Sequence, residues 1–96
     1  MTGYNFGDNN HYLSLSDHGE GNNRNLKGHQ IGLAHFAFKV ENLDSIVKRL
    51  ENAGYEIAIQ GGADDFQKSV YFLDPDGFEV EFVQYLSDLP HERNRY

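Results

Sequence analysis

Two ionisable side chains interrupt stretches that otherwise alternate like strands. They are His35 in LAHFAFKV and Glu81 in FEVEFVQY. In the first stretch Ala34, Phe36, Phe38 and Val40 alternate with Leu33, His35, Ala37 and Lys39. In the second, Phe78, Val80 and Phe82 alternate with Glu79, Glu81 and Val83. The more apolar set of each strand is suited to packing on a helix, which leaves His35 and Glu81 on the other face. A neutral imidazole beside a carboxylate is the donor mix of a catalytic divalent site, for zinc or non-haem iron. Such a site uses three protein ligands and keeps a position open for water or substrate, so two donors are one too few. His11 is the best further candidate, because HYLSLS sets it in phase with Leu13 and Leu15. Each residue also has a plain reading: a strand histidine is commonly structural, and a lone glutamate is commonly solvated. The shared face is what raises the pair above that.

Tyr71 joins them if the following turn has the right length. A four-residue loop, 74–77, would set Tyr71 opposite Val80 on the apolar side. A three-residue loop, Pro75-Asp76-Gly77, suits the chemistry better: Pro fixes φ for a type I turn and Gly takes the left-handed position. Asp74 then opposes Phe78 and Tyr71 opposes Glu81, and directly opposed residues share a face. The prediction is one surface carrying His35, Tyr71 and Glu81. The His35 and Glu81 tips are expected about 4–5 Å apart, for ligand bonds of about 2.0–2.2 Å.

The elements that must hold these residues are readable along the chain. Residues 1–10 are polar and read as loose; His11 to Ser16 reads as a short strand. Asp17 to Gln30, rich in Gly and Asn, reads as a long mobile loop. Leu33 to Val40 is a strand, and Asn42 is an N-cap. Leu43, Ile46, Val47, Leu50 and Ala53 form one helical stripe, stopped by Gly54. Strands are expected at Tyr55 to Ile59, Lys68 to Asp74 and Phe78 to Tyr85, with a loop over Gly61 to Gln67 and a frayed tail from Leu86. His18, His29 and His91 fall in loop or tail and read as solvated. A single-stripe helix covers one sheet face, so the fold class is α+β: a β-α-β-β-β unit whose curved mixed sheet carries one helix on its convex face. The chain divides into 1–30, an N-terminal strand and flexible loop; 31–85, the β-α-β-β-β unit; and 86–96, a tail.

Composition narrows the partners. The chain has 96 residues, 8 basic against 15 acidic, for a net charge of −7, which argues against nucleic acid and anionic membranes. No apolar run approaches the ~20 residues that span a bilayer, and the first ten residues do not resemble a signal peptide, so a cytoplasmic location is the expectation. Cys is absent, so neither a disulfide nor a thiolate metal site supplements a small core.

The run GLAHFAFKVENLDSIVKRLENAGYEI followed by SVYFLDPDGFEVEFVQY resembles the β-α-β-β-β module of the vicinal oxygen chelate superfamily. That superfamily includes glyoxalase I, fosfomycin- and bleomycin-resistance proteins and extradiol dioxygenases. The match covers residues 31–85 and is most similar to the C-terminal module of an extradiol dioxygenase. The resemblance implies that His35 and Glu81 are metal ligands. It implies that His11, in an His-x-x-x-Leu run, is an acid/base residue over bound dioxygen. It also implies that Tyr71 hydrogen-bonds a metal-bound substrate oxygen. In the family a site is built from two modules, and most of the first has no counterpart here, so 1–30 reads as the remnant of a preceding module.

The expectation is therefore a glyoxalase- or dioxygenase-like protein. Its divalent-metal site would serve a small substrate chelating through adjacent oxygens. The metal would be iron(II) for dioxygenation and otherwise zinc, nickel or manganese. A homodimer is expected, because the sheet face away from the helix is uncovered. Two alternatives stand beside it: a metal-free, small-molecule-binding dimer of the bleomycin-resistance kind, and a truncated, non-catalytic module.

Overall fold

The computed structural model describes residues 3–93. Two strands open the chain, β1 (Gly3–Gly7) and β2 (Tyr12–Ser16), and form an antiparallel hairpin of their own. Then follow β3 (Phe36–Lys39), α1 (Leu43–Asn52), β4 (Ile59–Ala63), β5 (Gln67–Leu73), β6 (Glu79–Tyr85) and a short α2 (Pro90–Arg93). The last four strands make one mixed sheet in the order β3-β6-β5-β4. β3 runs parallel to β6, and β6-β5-β4 is an antiparallel meander. The α+β expectation holds.

The helix forms where its stripe and caps require. Asn42 accepts a hydrogen bond from the Ser45 amide at 3.0 Å, satisfying one of the orphan donors of the first turn. The Leu43 amide donates to Gln84 Oε1 at 2.8 Å, which ties the helix start to β6. Gly54 ends the helix at φ 97°, a left-handed conformation that costs glycine little. The apolar stripe packs on the sheet around Leu43, Val70 and Phe72, with Val40, Val47, Leu50, Ile57 and Phe82 partly buried against them. Burying a side chain like Phe72 contributes roughly 1.5–3 kcal/mol.

Three expectations need correction. Residues 3–7 are not loose: they form β1, held by pairing to β2 rather than by local propensity. The strand expected at Tyr55 to Ile59 lies further on, at Ile59–Ala63, with an irregular register between Gln60 and Ala63. Gly61 rides directly over Ser69 there, where a Cβ would collide with the Ser69 hydroxyl and carbonyl oxygens. The stretch 17–30 is a loop without helix or strand, as expected, and touches the unit that follows at two points. The Asn23 side-chain amide donates to the Gly77 carbonyl at 2.9 Å, and the Arg24 guanidinium donates twice to the Leu33 carbonyl, at 3.1 and 2.8 Å. The segment after Tyr85 folds as far as Arg93. Arg93 Nε donates to the Ser87 carbonyl at 2.8 Å, and its guanidinium lies 4.7 Å over the Tyr85 ring. Residues 94–96 lie outside the described residues.

Candidate functional site

The turn at Asp74 sets the site's register. The Asp74 amide donates to the Phe78 carbonyl at 2.9 Å, Gly77 has φ 86°, and Asp74 Oδ1 accepts from the amides of Asp76 and Phe78. This is the three-residue loop, and it places Tyr71 directly opposite Glu81. On the other side of β6, Ala37 of β3 pairs with Glu81. His35, two residues earlier and just before β3, therefore lies on the same face as Ala37 and Glu81.

The three side chains meet. His35 Nε2 is 3.3 Å from Glu81 Oε1, with the imidazole side chain 36% exposed and the carboxylate 18%. The Tyr71 ring stands edge-on to the imidazole, centroids 5.1 Å apart and planes at 86°. This is a favourable aromatic geometry that limits rotation of His35. They line a cavity of about 480 Å³, whose wall also includes Gln67, Ser69, Val83 and Tyr85. Val83 and Ser69 are buried within the single chain.

The donor chemistry and spacing fit a divalent ion. Two atoms each about 2.1 Å from one ion, at tetrahedral or octahedral angles, are roughly 3.0–3.4 Å apart. The observed 3.3 Å falls in that range and is shorter than the 4–5 Å expected from the sequence. The same spacing also serves a direct imidazole–carboxylate contact. Among the described residues no group of three or more His, Cys, Asp or Glu forms a metal-sized cluster, and the pair has no third such partner among them.

His11 is placed elsewhere. It sits at the β1-β2 turn, exposed, where its amide donates to Asp8 Oδ1 at 2.8 Å and its carbonyl accepts from the Asp8 amide at 2.9 Å. It is not among the residues lining the cavity. The backbone amides of His11 and Asn10 hold the Asp8 carboxyl below the usual carboxylate range. His18, His29 and His91 are exposed and also lie away from the cavity. Sequence reasoning missed Gln67, Gly62 and Tyr85 as cavity residues. The alternation that placed Tyr71 and Glu81 extends two and four residues along each strand and would have found Gln67 and Tyr85.

A family model described as the glyoxalase/bleomycin resistance protein/dioxygenase superfamily matches residues 1–82. The chain belongs to that superfamily. Among solved structures, a protein called SMU.1112c is similar with a TM-score of 0.66 and 22% identity, over 84% of this chain and 68% of that one. A glyoxalase family protein from Bacillus cereus is similar with a TM-score of 0.60 and 22% identity, over 79% of this chain and 53% of that one. At these identities the likeness is one of fold. This chain thus spans about half of the second relative's length. No curated protein matches the chain significantly. Among the described residues no helix is long and apolar enough to cross a membrane.

Proposed function

We propose that His35 and Glu81 are two ligands of a divalent-metal site that receives a small molecule through a pair of adjacent oxygens. The observation that carries this reading is the 3.3 Å approach of an imidazole nitrogen and a carboxylate oxygen in the wall of a substrate-sized cavity. A bound divalent metal supplies Lewis acidity, lowering the pKa of the substrate oxygens it holds. The chain's own residues do the rest. Glu81 brings negative charge and His35 a neutral donor, and the edge of Tyr71 keeps the imidazole turned toward Glu81. The Tyr71 hydroxyl is the group assigned to hold a substrate oxygen. A second copy of the chain supplies the remaining donors, since the described residues of one chain bring fewer than three together. A proton-shuttling His11 at this cavity would have to come from that second copy's hairpin.

Elemental analysis of untagged protein, purified without chelator, tests this. Metal at a fixed ratio to protein is expected, weakened more than about tenfold in His35→Ala and in Glu81→Gln. Metal-free protein that takes up no iron, zinc, nickel or manganese on titration would sink the reading. It would leave the second one, a metal-free module that binds a small molecule. That second reading draws on one feature of its own: His35 and Glu81 already satisfy each other directly.

A further inference from the structure

The cavity wall is graded along β5 and β6. The register sets three cross-strand pairs on the face that looks into it: Tyr71 with Glu81, Ser69 with Val83, and Gln67 with Tyr85. The first pair lies beside His35. The last stands four residues further along each strand, about 13 Å away at the rise of an antiparallel sheet. Between them Ser69 and Val83 are small and each only 7% exposed. The wall therefore has a donor-rich end, a close-packed middle and a second polar end.

That second end offers a neutral amide beside an aromatic ring. The backbone of Gln67 is fixed at the turn before β5: its amide donates to Asp64 Oδ1 and its carbonyl accepts from the Asp64 amide, both at 2.9 Å. Neither bond uses the side chain. Among the described residues no hydrogen bond engages the Gln67 carboxamide, which is partly buried in the cavity wall. Gln84, on the opposite face of β6, is the contrast, because its Oε1 is taken by the Leu43 amide. A carboxamide presents N–H donors and a carbonyl acceptor in one plane, which is the complement of another amide.

Charge narrows the guest further. The nearby cations are engaged elsewhere. Lys68 points to the helix side, 3.7 Å from Asp44, and Arg93 lies over the Tyr85 ring with its Nε on the Ser87 carbonyl. Among the described residues no Lys or Arg lines the cavity. In a chain of net −7, an anionic group at this end would be desolvated without a countercharge. We infer that Gln67, flanked by the Tyr85 ring, is a specificity-determining residue of the cavity. It selects small molecules whose end remote from the chelating oxygens is an uncharged, planar amide or ring lactam. This rests on the reading above that His35 and Glu81 hold the chelating end, but the preference for the amide needs no bound metal.

Three catechols test it, alike in chelating head and four-carbon tail and ending in a carboxamide, a carboxylate or a methyl group. Calorimetric titration of the full chain in the presence of zinc is expected to rank the carboxamide first, by about fivefold over the methyl, as one or two neutral hydrogen bonds allow. The carboxylate should bind weakest. Gln67→Met, close in length but without the donor and acceptor, should abolish the advantage of the carboxamide and leave the methyl probe largely unchanged. The ranking in the unaltered protein remains a test even if that variant loses its fold. A carboxylate or methyl probe that binds as tightly as the carboxamide would overturn the inference, and so would an advantage that survives in Gln67→Met. His35→Ala is expected to weaken all three probes together and keep their order. Equal affinities with and without His35 would count against the metal reading while leaving the amide preference in place.

Discussion

Two antiparallel hairpins of this chain, β5-β6 and β1-β2, are built from alternating apolar residues and end in opposite circumstances. β5-β6 lies in the middle of the main sheet, flanked by β4 and β3, with α1 across one face. Val70 and Phe72 are among the most buried side chains of the protein. Among the described residues β1-β2 gains no third strand and no covering helix, and Tyr4, Phe6 and Leu15 are more than half exposed. Alternation makes a strand, but only a second layer makes it part of a core. Tyr71 and Glu81 of the candidate site stand on the first hairpin, and β3, paired with β6, brings His35 beside them.

The sharpest way to break this contrast is to remove the layer. Phe72→Ala takes out a ring that touches Phe82 beneath α1 and should cost about 3–5 kcal/mol. That is a large share of the stability of a small domain. Urea unfolding followed by the helix signal measures it. A loss below about 1 kcal/mol would mean that the main sheet is no better supported than the hairpin. A smaller effect is expected at the turn. Gly77→Val forces a β-branched residue into φ 86° and should cost roughly 1 kcal/mol or more. The same substitution should loosen the opposition of Tyr71 and Glu81, so metal retention should fall with stability.

The smallest effect is confined to β1-β2. Asp8 has its folded-state pKa lowered by amide hydrogen bonds from His11 and Asn10. Its contribution is thus present above the unfolded value of 3.8 and is lost as pH falls through the lower folded value. The protection of amides at residues 8–11, measured against the intrinsic exchange rate at each pH, should fall on acidification across that window, while protection in β5 and β6 is kept. A uniform loss of protection in both hairpins would show that they unfold as one unit.

Much of the site was legible because its signals are local. The alternation around His35 and Glu81, the Asn42 cap and the Pro75-Asp76-Gly77 turn each follow from a few neighbouring residues, and together they fixed which side chains share a face. β1 was not legible from its composition, because Gly3, Asn5 and Gly7 are poor strand formers. Tyr4 and Phe6 do alternate, but what makes them a strand is the partner segment across the turn. β4 was displaced because Gly61 and Gly62 read as loop, whereas a glycine is what the close approach to Ser69 demands. His11 was assigned from strand phase alone. Phase gives a side and not a location, and the hairpin that carries His11 is joined to the main sheet by a long connection.

The parallel pairing of β3 with β6 has a further consequence, for the order in which the protein comes together. His35 and Glu81 are 46 positions apart, and α1, β4 and β5 all lie between them. The β5-β6 turn closes over three residues, whereas the β3-β6 seam closes over most of the unit, at a correspondingly larger entropic cost. Contacts of such long range form late and slow the folding of domains that depend on them. The pair is therefore a reporter of completed folding: until β6 is made and seated beside β3, the chain has both side chains and no site.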